Sequence, residues 1–533
     1  VGPFAWSPDG SRIAFVAPEP LTDEEKKREA DQDDAYVVGQ SNYSRRKDDQ
    51  FWVVDVETRE VRRLTQGTWR FSNGDTTSIH FAWHPSGDRL LVSATDDLRI
   101  DIFSSRLFWL RLDDSKMEQF AAPRGAFGDI RISPDGQTVA YLAARDDGPE
   151  PEDVCVQPIA GGPARNLTAK SIDRRIKSYE WQKDGSLIVL AETGFGATLY
   201  RCSLNGTVEK LMSDPSPAAY WGNGKTFAAN GTETVFVAES STRPPEIWVR
   251  TADGKTTCVS RLNDSWQGVP LVPMEIFTCR SFDGMPIEAG LLKPTKTAAP
   301  YPLVVLVHGG PTAHWVDRVE SWGQLLAAKG FAVVYPNVRG STGYGYEFMT
   351  KVRRDPGGGD FKDVMAVVDD LVGKGLADPD RLGIGGWSYG GYMSAWAVTQ
   401  TDRFKASVSG APITSLVTEL LTEESWVNYY DVWTFGTPYN DWQSLTERSP
   451  VAQVSSKVKT PTLILCGEKD VVDPVGECFQ FHRALRHYQV ETELVIYPRS
   501  GHAPSEEKHR VDVHRRIVEW FEKHLSRDAH SEE

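Results

Sequence analysis

The sequence predicts two domains of different class, a β-propeller of four-stranded antiparallel blades followed by an α/β domain with a mainly parallel sheet. Two observations predict it. Tight-turn motifs recur at even spacing through the first half of the chain, and buried-strand patterns alternate with helical ones through the second.

In the first half, Ser7-Pro8-Asp9-Gly10, His84-Pro85-Ser86-Gly87, Ser133-Pro134-Asp135-Gly136, Lys183-Asp184-Gly185 and the shorter Asn230-Gly231 each precede an alternating or apolar run. Each reads as a hairpin turn, because Asp-Gly and its relatives supply the backbone conformation that a tight turn demands. A second hairpin follows in every unit, at 51–65, 107–121, 154–168, 199–213 and 247–261. Two hairpins per period of about 45 to 50 residues make a four-stranded blade, and five blades are visible. The first interval is longer by roughly thirty residues, an insertion at 21–50 whose Thr22-Asp23-Glu24-Glu25 start reads as a solvated helix with an acidic first turn.

The boundary falls near 264–273, dividing the chain into 1–264 and 265–533. Beyond it, Asp283-Gly284 joins two strand patterns into an antiparallel hairpin at the edge of the second sheet. A strand at 303–307, a helix at 319–329, a strand at 331–335, a helix at 361–373 and a strand at 381–385 then alternate, which implies a parallel sheet covered on both faces. Apolar runs at 462–466 and 494–497 read as its last strands.

The chemistry gathers where those strands end. Gly386-Trp387-Ser388-Tyr389-Gly390-Gly391 places a serine at the apex of a strand-to-helix turn, a nucleophile elbow whose glycines keep side chains out of a tight corner. His308-Gly309-Gly310-Pro311 ends another strand, and its glycines leave backbone N–H groups unobstructed, as an oxyanion hole requires. Gly467-Glu468-Lys469-Asp470 and Ser500-Gly501-His502-Ala503 follow in turn, giving the order Ser, Asp, His of α/β-hydrolases. Asp473 competes for the acid role, but Asp470 comes directly off its strand. His482, His487, His509, His514 and His524 fall in charge-rich helical stretches and read as surface residues. Ser388 is thus assigned as nucleophile, His502 as base, Asp470 as the acid that orients it, and the Tyr389 N–H as an oxyanion donor.

With Asn337-Val338-Arg339-Gly340-Ser341-Thr342-Gly343-Tyr344-Gly345, these motifs resemble the prolyl oligopeptidase family of serine peptidases, in its acylaminoacyl-peptidase and dipeptidyl-aminopeptidase-like branch. The resemblance implies a propeller joined to an α/β-hydrolase domain, a Ser-His-Asp acyl-enzyme mechanism on short peptides near their amino terminus, the Gly310 N–H as second oxyanion donor, and neither metal nor cofactor. It implies seven blades as well, so a chain entering mid-repeat at Val1 is expected to lack amino-terminal ones. The same triad would serve an esterase or amidase on non-peptide substrates, and a catalytically silent propeller used as a binding platform is a third reading. Trp426, Tyr429, Tyr430 and Trp433, together with Tyr389, Val471 and Val472, are candidate walls of an S1 pocket, with packing of a lid segment as the alternative. The branch often carries Arg-Val-Pro after the acid where this chain has Val472-Asp473-Pro474, which removes a cation able to hold a substrate carbonyl. Asp33 and Asp34 are candidates for meeting a substrate amino terminus, and Arg339, Asp360 and Asp363 read as structural ion-pair partners.

Composition narrows the field. The 533 residues, 40% hydrophobic and 25% charged, are those of a globular protein with no run of apolar residues long enough to span a bilayer. A net charge of −15 argues against nucleic acid or an anionic membrane surface as partner, and nothing opposes a homo-oligomer. The six cysteines, Cys155, Cys202, Cys258, Cys279, Cys466 and Cys478, show neither zinc-site nor disulfide-framework spacing, so a reducing, cytoplasmic setting is expected.

Overall fold

A computed structural model describes residues 2–33, 35, 49–67, 69, 71, 81–95, 105–120, 127–146, 153–219 and 225–526. Five four-stranded antiparallel sheets, each a meander in chain order, lie between Phe4 and Cys258 among these residues. The recurring turns start them. Gly10, for example, takes φ 72°, while Asp9 Oδ1 accepts from the Ser7 and Ser11 hydroxyls and the Ser11 N–H, an Asx-type closure that only a short polar side chain can make.

Successive sheets pack face to face, and the period of the strand decides how. In the strand Arg89–Ala94, Leu90, Val92 and Ala94 pack with Ala14, Val16 and Phe51 of the sheet before, whereas Leu91 packs with Val139 and Tyr141 of the sheet after. The strand Leu187–Thr193 repeats this one step on: Leu187, Val189 and Ala191 face the third sheet, and Ile188 and Leu190 face the fifth. Inner strands are therefore apolar on both faces, which gives the blades their continuous hydrophobic runs. This is the packing of a propeller. The insertion helix forms at Asp23–Ala30, with Thr22 and Glu25 closing a reciprocal capping box; 34 and 36–48 of the insertion lie outside the described residues.

The second half is an eight-stranded sheet. Its strands are β1 (Met274–Arg280), β2 (Pro286–Leu292), β3 (Tyr301–Val307), β4 (Ala332–Asn337), β5 (Ala377–Trp387), β6 (Phe404–Gly410), β7 (Thr462–Gly467) and β8 (Thr492–Tyr497). Their spatial order is 1-2-4-3-5-6-7-8. β1 and β2 pair antiparallel, β2 meets β4 antiparallel, and every pairing from β4 to β8 is parallel. Along β3, Leu303, Val305 and Val307 face one helical layer while Val304 and Leu306 face the other, so the strand is buried on both sides.

Short polar contacts tie the two halves. The hairpin at Gly194 and Phe195 of the fourth blade donates from Gly194 N to Gly343 O at 3.0 Å and accepts at Phe195 O from Asp317 N at 2.8 Å. Gln324 donates to the carbonyls of Ser241 and Val272 at 3.0 and 2.8 Å. This hairpin is what brings blade residues to the strand ends of the larger sheet.

Cys466 at the end of β7 and Cys478 in the helix Val475–His487 are joined in a disulfide, a single bond that the scattered spacing of the six cysteines did not indicate. No spacing rule reveals such a pair, because the contact is made by a helix packing back onto the strand that precedes it. Among the described residues, no helix is long and apolar enough to cross a membrane.

Candidate active site

Strand β5 runs into the helix Tyr389–Gln400 through Ser388, whose φ of 61° is costly for a residue bearing a Cβ. Contacts on each side hold that conformation. Ser388 N donates to Gly410 O at 2.9 Å and Ser388 O accepts from Tyr392 N at 2.8 Å. A Cβ on Gly390 would lie 2.1 Å from Val307 O, so only glycine lets the helix start press onto the end of β3. A Cβ on Gly309 would come within 3.3 Å of the Ser388 Cβ, which is how the two glycine motifs meet. Tyr389 is the first residue of its helix, so its N–H lacks an intrahelical acceptor and points out of the helix end.

The loop after β3 is pinned from beneath. His308 Nε2 meets Ser341 Oγ at 2.8 Å and its Nδ1 meets Gly309 O at 2.7 Å; burial pushes this histidine down to about 4, so it is a neutral brace for the loop. Tyr430 Oη binds Thr312 N at 3.0 Å and Thr312 Oγ1 at 2.7 Å, tying the helix Ser425–Phe435 to the same loop.

The loops after β7 and β8 bring an acid to a histidine. His502 Nδ1 lies 3.0 Å from Asp470 Oδ2 and 3.2 Å from Oδ1. Asp470 Oδ1 also accepts the N–H groups of Val472 and Asp473 at 3.0 and 3.1 Å, and the His502 carbonyl accepts from Trp387 Nε1 at 2.7 Å. The acid is therefore aimed by its own turn, and the histidine loop is anchored beside Ser388. No hydrogen bond joins Ser388 Oγ to His502 among the described residues, although both line one cavity; such contacts commonly tighten only on substrate binding. Burial by itself pushes His502 down, but the charge of Asp473 and then the hydrogen bond and charge of Asp470 outweigh it, up to about 9. Because burial drives Asp473 toward its neutral form, His502 gains the full lift only when Asp473 is ionised.

The cavity has a volume of about 550 Å³. Gly309, Gly310, Ser388 and His502 form one wall, and Ile413, Tyr429, Tyr430 and Val472 an apolar one. Of the proposed pocket residues, Tyr429, Tyr430 and Val472 are thus in place. Val471 is not: the turn that points Val472 inward leaves Val471 48% exposed, with its carbonyl accepting from Glu424 N. The Tyr389 side chain turns into the core, where its hydroxyl binds Asp360, and Trp433 is buried beneath Arg353. Trp426 belongs to the helix Ser425–Phe435, but its side chain lies outside the described residues. Asp33 is exposed and paired with Arg28, away from the cavity, and Asp34 lies outside the described residues. Arg339 pairs with Asp363 and Asp283, as structural ion pairs do, while Asp360 serves Tyr389.

Sequence reasoning missed the far wall. Arg175 and Glu192 of the fourth blade, with His314, Arg318 and Glu320, complete the cavity. Arg175 donates to Thr312 O at 3.4 Å, so a cation from the blades borders the cavity. Nothing in the local sequence marks Arg175, since its placement depends on how the blade hairpin docks. Asp431 and Asp473 were missed too as cavity residues.

A profile of the prolyl oligopeptidase family matches residues 318–528. The chain is 33% identical over 366 residues to an uncharacterized peptidase, YuxL, of Bacillus subtilis, covering 65% of this chain and 53% of that protein. It is 32% identical over 288 residues to dipeptidyl aminopeptidase BIII of Pseudoxanthomonas mexicana, covering 51% and 41%. The acylaminoacyl peptidase of Pyrococcus horikoshii shares the fold, with a TM-score of 0.81 over 98% of this chain and 82% of that one at 23% identity. The chain spans about half or less of the length of the curated relatives matched here by sequence.

Proposed function

We propose that the chain is a serine peptidase of the prolyl oligopeptidase family that hydrolyses short peptides near their amino terminus. The observation that carries this reading is the His502–Asp470 pair facing the same cavity as the elbow serine. Ser388 Oγ attacks the scissile carbonyl as His502 Nε2 takes its proton, and Asp470 holds Nδ1–H and steadies the imidazolium. The N–H groups of Tyr389 and Gly310 receive the oxyanion, each donor lowering the barrier by roughly 3 to 4 kcal/mol. Collapse expels the amine, protonated by His502, and water then repeats the cycle on the acyl-enzyme. Because blade residues close the far side of the cavity, an unfolded peptide can thread in where a folded substrate cannot.

Fluorophosphonate labelling of the chain, followed by a panel of aminoacyl, acyl-aminoacyl and simple ester substrates and intact casein, tests it. Labelling with peptide turnover, and poor cleavage of casein, is the expected result. Ester turnover without peptide turnover would make the protein an esterase, and absence of labelling would make it a binding protein.

A further inference from the structure

Four buried carboxylates gather at the edge of the Ser388 cavity, where His502 acts on Asp473 and the other three face chiefly one another. Glu419, Glu423, Asp431 and Asp473 are each no more than 3% exposed. Carboxylate oxygens of Glu419, Glu423 and Asp431 lie within 4.8 Å of one another, and Asp473 lies against Glu419. Among the described residues, both oxygens of Glu419, Oε2 of Glu423 and Oδ2 of Asp473 have no hydrogen-bond partner. Glu423 Oε1 accepts from Asn428 Nδ2 at 2.8 Å. Buried carboxylates are normally paired or hydrogen-bonded, because desolvation otherwise forces them to take up protons. That is the state here: burial first, then mutual repulsion, raises Glu419 and Glu423 well above the usual carboxylate range, and burial lifts Asp431 to about 7.

The cluster is not sealed in the core. Asp431 and Asp473 line the cavity that holds Ser388 and His502, and Ile413, Tyr429 and Val472 line it as well. Apolar side chains beside under-paired acids match a substrate side chain with an aliphatic stem and a cationic tip. We propose that this cluster is the floor of the S1 pocket and selects substrates with a lysine or arginine side chain at the residue whose carbonyl Ser388 attacks. The proposal rests on the peptidase reading above. The incoming ammonium or guanidinium supplies the positive charge and the hydrogen-bond donors that Glu419 and Asp473 lack, and the cluster sheds its shared protons as the cation enters. The acid on the blade side of the cavity, Glu192, is a poorer host for such a group, since Lys177 and His314 already lie 3.8 and 3.7 Å from it.

The test compares kcat/KM on matched short peptides with lysine, arginine, norleucine or leucine at that residue, alongside protection of Ser388 from fluorophosphonate by benzamidine or by uncharged benzyl alcohol. Lysine and arginine peptides are expected to exceed norleucine by about 100-fold or more, since a pocket built for a polar tip strongly rejects an analogue that leaves its groups unpaired. Benzamidine should slow labelling where benzyl alcohol does not. Glu419→Gln and Asp473→Asn should each collapse the lysine-to-norleucine ratio. If those variants fail to fold, benzamidine protection of the unmodified chain still decides the matter. Norleucine or leucine peptides cleaved as well as lysine peptides, or labelling indifferent to benzamidine, would overturn the proposal while leaving the serine hydrolase intact. Calorimetric binding of Ca²⁺ or Mn²⁺ that Glu419→Gln abolishes, without any lysine preference, would overturn it in favour of a metal site. Failure of the unmodified chain to label at all would instead sink the peptidase reading.

Discussion

Asp470 and Asp473 share one turn beside the Ser388 cavity and differ in nearly everything but residue type. Asp470 accepts two backbone N–H groups and faces the His502 ring, so its charge is fully used. Asp473 is equally buried, yet its Oδ2 has no hydrogen-bond partner, and the charges acting on it are those of His502 and of other acids. One turn of chain makes both environments, because the turn that points two N–H groups at Asp470 also swings Asp473 toward Glu419. Preorganised charge suits a group that must stabilise an imidazolium throughout a reaction. An unsatisfied carboxylate suits one that waits for a ligand.

The most severe way to break this picture is to remove the nucleophile that both acids serve. Ser388→Ala should cost about 10⁴-fold or more in kcat and all covalent labelling, with the fold intact by circular dichroism, since a hydroxyl that faces the cavity contributes little packing. Substantial residual turnover would take Ser388 out of its role.

Next comes the contrast itself. Asp470→Asn should lower kcat by about 10⁴-fold, because the imidazole then loses its tautomer and its counter-charge. Asp473→Asn should fall far short of that loss on a peptide with norleucine at the scissile residue. Steady-state kinetics that reverse the ranking would show that the role was assigned to the wrong aspartate.

A pH profile sharpens the comparison. His502 acts as base only when neutral, so kcat/KM should rise with pH through an apparent pKa above the ordinary 6.5 and no higher than about 9. An ionised Asp473 favours the imidazolium. Asp473→Asn therefore removes a raising influence and should move the ascending limb toward lower pH, whereas a limb that stays in place would mean that Asp473 does not act on His502.

The smallest effect concerns the loop between them. Tyr430→Phe removes the hydroxyl that holds Thr312, and with about 1 kcal/mol lost from one hydrogen bond the expected fall in kcat/KM is roughly fivefold. A loss comparable to that of Asp470→Asn would give Tyr430 a direct part in the chemistry.

How much of this was legible in the chain follows from how local each feature is. The elbow at Ser388, the loop after His308 and the acid and histidine after their strands are each written in a few adjacent residues, because a tight turn selects its glycines and a buried strand its apolar run. The blades were legible for the same reason: each turn repeats in sequence whatever it packs against. Side-chain direction was not. Val472 faces the cavity and Val471 the solvent, and Tyr389 turns to Asp360, because the surroundings and not the turn motif choose the rotamer. The Cys466–Cys478 bond, the arrival of Arg175 from a blade and the gathering of Glu419, Glu423, Asp431 and Asp473 are all contacts between segments distant in the chain or in different elements. Sequence by itself determined the local turns, the strand and helix periods and the order of the reactive groups, since backbone sterics and burial act over a few residues. Tertiary structure alone decided which side chains share the cavity and which charges go unanswered, since those are set by docking geometry that no short stretch of residues encodes.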